Sequence, residues 1–416
     1  MFKKLRLQLH NYSKSDIASI VLVSVIWGER LLYYVRSVLL RIPVIREVAL
    51  PFIGVAIVVT ILLTFKYVKW RFRAVDFLVF FGAVIIYILH MAVYPYNTNY
   101  LLDLLTSFCF VVLPYYLLGI VCDTDKNIRV LEYVSFAYVV LGVIYYYYAI
   151  TAGFIEQDEQ MDAMGMAYQF LPHTILLLYG TLRHFSILSL SGTILGIVMI
   201  LGSGNRGSLL MLIVFSLLYL SVFEYKITNK FSFWRVLLII LSLAIIIFIN
   251  PLVDTLTSFI GDLGMSTRSL EAFVNGEFAD DNGRKGIAEL ITSKIAEGPL
   301  LGYGLCGDRV IVGGSGGYAH NLFYELLISF GPVIGSFFIV WVLFVIIRGF
   351  FKCTSVDQRA FLALLLCCGF VKLFISNSFL EERYFFFLMG YCVSLNRFNK
   401  KTEQLPNLET LQPINP

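Results

Sequence analysis

Charge is what this sequence has least of. Asp, Glu, Lys and Arg make up 14% of its 416 residues, against 58% hydrophobic residues, and the mean hydropathy is +0.79. So little polar surface cannot coat a water-soluble globule of this length, and the chain reads as a polytopic membrane protein. Also missing are the alternating strands of about ten residues that build outer-membrane barrels. The apolar runs are far longer, and because open sheet edges cannot face lipid, the spans must be helices. The seven cysteines, Cys109, Cys122, Cys306, Cys353, Cys367, Cys368 and Cys392, form no CxxC pair and no His/Cys cluster at metal-ligand spacing. Only Cys306 falls in the one long polar region, where a disulfide has no second cysteine; the others read as small hydrophobes in or near the spans. The net charge is +4 and no basic cluster is interleaved with aromatics, which leaves a nucleic-acid partner without support.

What is present is a series of apolar runs about twenty residues long. The first, 17–35, follows Lys3, Lys4, Arg6 and Lys14 and lacks a small-residue cleavage site, so it reads as a span and not as a cleaved signal peptide. Further runs lie near 48–65, 74–94, 101–121, 130–150, 164–180, 184–202, 207–223 and 233–249, and three more near 322–347, 358–376 and 384–396. The expected architecture is therefore all-α with about twelve transmembrane helices: nine within 1–249, a long extracytoplasmic loop at 250–318 containing short helices, three more within 319–397, and a polar cytoplasmic tail at 398–416. With the N-terminus inside, the inner segments hold 20 Lys and Arg and the short outer regions 6, which favours both termini in the cytoplasm. Arg30, Arg36, Arg41 and Arg46 run against that bias and suit an interfacial helix. The acidic segment IEQDEQMD, 155–162, falls outside.

A loop as long as 250–318 is usually functional or disordered. Apolar residues at helical spacing over 252–273 and 286–295 favour ordered helices, the second preceded by Asp281, Asn282 and Gly283 as possible caps. The stretch 281–325, with ten glycines and the single histidine His320, is where chemistry is expected. In the outer turn GSGNRG, 202–207, Arg206 reads equally as an interface anchor and as a cation facing an anionic oxygen, with Asn205 beside it. Arg284 and Lys285 by themselves read as a solvated face. GYGLCG, 302–307, matches GxGxxG in form only, since no strand precedes it, and is read as a turn. His320 has Asn321 beside it, Glu325 five residues on and GGSGG shortly before, which favours a base or hydrogen-bond donor; the spacing is not that of a zinc site. The tyrosines at 94–100 and 145–148 read as interfacial belts.

The order of many spans, GSGNRG, an outer loop with GRKGIAELITSKIAEGPLLGYG and then HNLFYELLISFGPVIG entering the next span resembles the O-antigen polymerase and ligase superfamily. The topological likeness covers the whole chain, and the motifs concentrate between 202 and 335. The resemblance implies a metal-independent glycosyltransferase of the bacterial cytoplasmic membrane, without cofactor, whose donor is a glycan on undecaprenyl pyrophosphate. By that resemblance Arg206 and Arg284 contact the donor pyrophosphate on the outer face, with Arg268 able to stand in for Arg284. His320 serves as general base or orients the acceptor hydroxyl, and Asn205, Asn321 and Glu325 belong to the substrate site. A repeat-unit polymerase is the first reading, working beside a flippase and a chain-length regulator. A ligase to lipid A core differs only in its acceptor, and a protein-directed oligosaccharyltransferase comes third. A lipid-linked glycan transporter is the alternative of another class, disfavoured because only Lys372 lies well within a span and no inverted repeat is evident.

Overall fold

A computed structural model of the chain describes residues 12–29, 31, 55, 58–151, 160–203, 205–220, 258, 284–313 and 317–403. Among these there is no strand. In chain order come α1 (Lys14–Trp27), α2 (Ala74–Val93), α3 (Thr98–Ser107), α4 (Pro114–Val121), α5 (Thr124–Thr151), α6 (Gln160–His184), α7 (Ile187–Gly202) and α8 (Arg206–Leu218). They are followed by α9 (Arg284–Glu297), α10 (Gly307–Val312), α11 (Leu322–Lys352), α12 (Val356–Leu365) and α13 (Arg383–Glu403). Four helical stretches are long and apolar enough to cross a membrane: α2, Pro95–Val121 through α3 and α4, Thr124–Tyr146 of α5, and α11. Ile187–Gly202, Arg206–Leu218 and Arg383–Leu395 are shorter apolar helices. This is the pattern of an all-helical polytopic membrane protein. The expected twelve spans are not reached among the described residues, since the run at 233–249 lies outside them and that at 48–65 largely so, as do the predicted helix at 252–273 and Arg30, Arg36, Arg41 and Arg46.

Helix association in lipid depends on close packing and interhelical hydrogen bonds, because lipid tails are as apolar as leucine. The centre of the bundle shows both. Where α4 crosses α13, a Cβ on Gly119 would fall 2.4 Å from the Phe387 carbonyl and one on Gly390 1.9 Å from the Tyr116 carbonyl, so only glycine lets these backbones meet. Trp27 Nε1 of α1 donates to Ser135 Oγ of α5 at 2.9 Å, and Ser135 lies 3.0 Å from Nδ1 of His173 on α6.

Polar residues from alternate connections gather at two opposite ends. At one, Asp16 pairs with Arg71 and Lys126 at 2.8 and 2.9 Å, Gln358 donates to Asp125, and Arg397 pairs with Asp76. At the other, Glu29 pairs with Arg383, and Asn97 and His90 meet the segment 303–305.

Three runs read as single spans are interrupted, that at 101–121 by a π-turn (Phe108–Val112) between α3 and α4. The run at 358–376 is α-helix only to Leu365, then a π-turn (Leu366–Phe370) and a 3-10 turn (Val371–Phe374) that carries Lys372. α11 breaks at Gly331, whose φ of +76° is non-helical and is followed by Pro332, a residue that cannot donate to the preceding turn. The break frees carbonyls at the end of 322–330. The amides of Tyr303 and Gly304 bond the carbonyls of Ile328 and Ser329 at 2.7 and 3.0 Å, so the GYGLCG segment, expected as a turn, is the cap of a broken helix. That cap is itself clamped. Asn97 Nδ2 donates to the carbonyls of Tyr303 and Leu305 at 2.8 and 2.9 Å, His90 Nδ1 accepts the Leu305 amide at 2.9 Å, and Tyr94 and Tyr96, expected as belt residues, donate to the carbonyls of Leu301 and Tyr303.

Gly331→Ala would put a Cβ 1.9 Å from the Leu300 carbonyl on a left-handed backbone. It is expected to lower stability by about 2–3 kcal/mol or more, read as a drop in Tm of detergent-purified protein; an unchanged Tm would mean that the break and its cap are loosely held.

Candidate functional site

His320 stands between α10 and α11 with φ +51°, in the left-handed region. Such a conformation costs a non-glycine residue about 1 kcal/mol or more and is retained chiefly at functional sites. Asn321 begins α11 as its N-cap, its Oδ1 accepting the Phe323 and Tyr324 amides at 2.9 and 3.4 Å. The His320 ring lies against that of Tyr318, centroids 3.7 Å apart, and its Nδ1 is buried with no hydrogen-bond partner among the described residues.

Arg284 reaches the same place because of one apolar stripe. Ile287, Ile291 and Ile295, four residues apart along α9, pack with Ala319 and Ile328, and this lays the start of α9 beside His320. Burial first, then the Arg284 charge, pushes the imidazole from its ordinary 6.5 down to about 4, so the ring is neutral at neutral pH. The buried Asp308 of α10 fixes the approach to His320 by accepting the Ala319 amide on Oδ2 at 2.9 Å, and burial pushes its carboxyl up. Its neighbour Arg309 pairs with Glu381 at 2.7 Å.

The connection 375–382 ties this group to the Arg206 turn. Tyr318 Oη accepts the Asn377 amide at 2.5 Å, and Asn377, also left-handed at φ +76°, donates from Nδ2 to Glu382 at 3.0 Å. Glu382 pairs with Lys372, whose ammonium lies 4.5 Å from the centroid of the Tyr168 ring. The Tyr168 hydroxyl touches Gly207, where a Cβ would fall 2.5 Å from it. Arg206 precedes Gly207 as the first residue of α8, and Asn205 caps that helix by accepting the Ser208 amide at 3.0 Å. One chain of contacts therefore runs from His320 through Tyr318, Asn377, Glu382, Lys372 and Tyr168 to the 202–207 turn.

Of the residues expected at the site, His320 and Arg284 are brought together, and Arg206 stands at the far end of this network. Asn205, Asn321 and Glu325 use their oxygens to hold backbone: Glu325 is 3% exposed and accepts the Ser378 hydroxyl and the Phe379 amide, anchoring the 375–382 connection to α11. Arg268 lies outside the described residues. Sequence reasoning passed over Asn377, Glu381 and Glu382. For Glu381 and Glu382 the signal was the EER triplet at 381–383, a dense charge cluster between two apolar runs that cannot stay unpaired near lipid. Comparison of the chain with protein-family models, curated proteins and solved structures finds no match.

Lys372→Ala strands Glu382, only 2% exposed, without its cation and is expected to cost about 3 kcal/mol. The double variant K372A/E382Q should recover most of the lost Tm; equal losses in both would deny the pair this role. His320, its folded value depressed, contributes stability that is complete above about 6.5 and is lost as pH falls towards 4. His320→Gln should therefore flatten the fall of Tm between those pH values, and an unaltered acid limb would show that the imidazole titrates normally.

Proposed function

We propose that the chain is a polysaccharide repeat-unit polymerase of the bacterial cytoplasmic membrane, transferring glycan from undecaprenyl pyrophosphate to a sugar hydroxyl of another carrier-linked repeat. The observation that carries this reading is a neutral, strained His320 within electrostatic reach of Arg284, at a network that continues to the Arg206 turn. In the reaction the acceptor hydroxyl attacks the anomeric carbon, the bond from that carbon to the pyrophosphate oxygen breaks, and the hydroxyl proton passes to the imidazole. The leaving pyrophosphate is anionic, and fixed guanidinium groups in a water-poor site stabilise it without reorganising. An imidazole at about 4 is a weak base. Anionic pyrophosphate beside Arg284 offsets that arginine's pull on the ring and raises its basicity only when donor is bound. With both termini in the cytoplasm, the site faces outward, where a polyprenyl tail stays in the bilayer while its head enters beneath the 284–321 cover.

A deletion strain complemented with wild type, Arg206→Ala or His320→Ala at matched expression tests the reading by the surface-glycan banding pattern. The deletion is expected to leave one repeat unit on its acceptor, and both substitutions to reproduce that pattern. Bare acceptor with long carrier-linked chains would make the enzyme a ligase. Glycan translocated without a new glycosidic bond would make it a transporter, and wild-type banding from both variants would remove these residues from the chemistry.

A further inference from the structure

At the end of the bundle opposite His320, a cavity of about 220 Å³ lies between the start of α2, α11 and α13, lined by Arg73, Phe344, Val345, Arg348, Val393 and Arg397. Three arginines line it and one carboxylate, Asp76, is bound to one of them. Asp76, fully buried, gives both oxygens to Arg397 at 2.5 Å, and Oδ2 also accepts the Arg73 amide at 2.8 Å. That carboxylate is saturated. The Arg73 and Arg348 residues are exposed, and neither guanidinium meets a carboxylate among the described residues. A cavity holding two uncompensated cations calls for an anion.

The surroundings say what carries the anion. Phe344, Val345 and Val393 form an apolar wall, and the outward side of α11 extends it with Phe337, Val340, Ile347 and Phe351, each more than half exposed. Side chains of that kind belong against acyl chains. Arg73 sits immediately before the apolar run of α2 and Arg348 four residues before the end of α11, the level at which a spanning helix meets headgroups. Arginines that only anchor a helix reach outward singly; here they converge on one cavity.

We propose that this cavity binds the phosphate of an anionic membrane lipid, held by the guanidinium forks of Arg73 and Arg348 with an acyl chain along Phe344 and Val345. Arg397, fixed by Asp76, forms the floor. The site does not depend on the glycosyltransferase reading, because none of its residues belongs to the His320 network.

The test is a thermal-shift titration of the full-length protein in neutral detergent with short-chain phosphatidylglycerol, short-chain phosphatidylcholine or inorganic phosphate. Phosphatidylglycerol is expected to raise Tm at concentrations about twentyfold lower than phosphatidylcholine, two surface cations each contributing about fivefold. That preference should vanish in R73A/R348A and persist in part in R73K/R348K, while all three proteins share one Tm in phosphatidylcholine. Arginine-dependent stabilisation by inorganic phosphate alone would assign the cavity to a free anion and overturn the lipid. Equal responses to the two lipids, or an undiminished preference in R73A/R348A, would overturn the site.

Discussion

A helix broken near a membrane leaves backbone carbonyls that water cannot serve, and this single constraint organises one end of the molecule. At Gly331 the helical bonding of α11 stops, and the carbonyls of Ile328 and Ser329 are met by amides of Tyr303 and Gly304. The segment that supplies those amides must be held still, so His90, Tyr94, Tyr96 and Asn97 grip it from the end of α2. Once 302–305 is fixed, the short helix α10 and the approach to His320 have nowhere else to go. The site is placed by the repair of a broken helix.

Charge placement follows the same logic. Among the described residues, Lys372 is engaged with Glu382, Arg309 with Glu381 and Arg383 with Glu29. These pairs gather on the connection 375–383, which Glu325 ties to α11 through Ser378 and Phe379. A buried pair adds little net stability, but breaking one is costly, so such pairs hold the connection in one geometry. So held, the connection keeps Asn377 bonded to Tyr318, the ring against which His320 lies. At the opposite end Asp76 gives both oxygens to Arg397, while Arg73 and Arg348 meet no carboxylate among the described residues.

Much of this was legible beforehand. Helical class and the α9 helix follow from runs and spacing along the chain. His320 stood out because a single histidine followed a glycine-rich segment at the start of an apolar run. Asn205, Asn321 and Glu325 stood out for their neighbours in sequence, yet their oxygens cap helices or hold a distant loop. Asn377 carried no local mark, because its importance lies in contacts with Tyr318 and Glu382.

By itself the sequence determined that the chain must be helical and membrane-embedded, since hydropathy and backbone hydrogen bonding are properties of each segment alone. It also determined where helices can start, through Ser13, Asn205, Asn321 and Ser355 as caps. Only the tertiary structure decided that GYGLCG closes a break in α11, that Arg284 lies beside His320, and that Arg73 and Arg348 share a cavity with Arg397. Each of these joins residues tens to hundreds of positions apart, and such meetings depend on which backbones glycine allows to touch and which freed carbonyls find an amide. Those choices are made by packing between helices, which no single stretch of sequence contains.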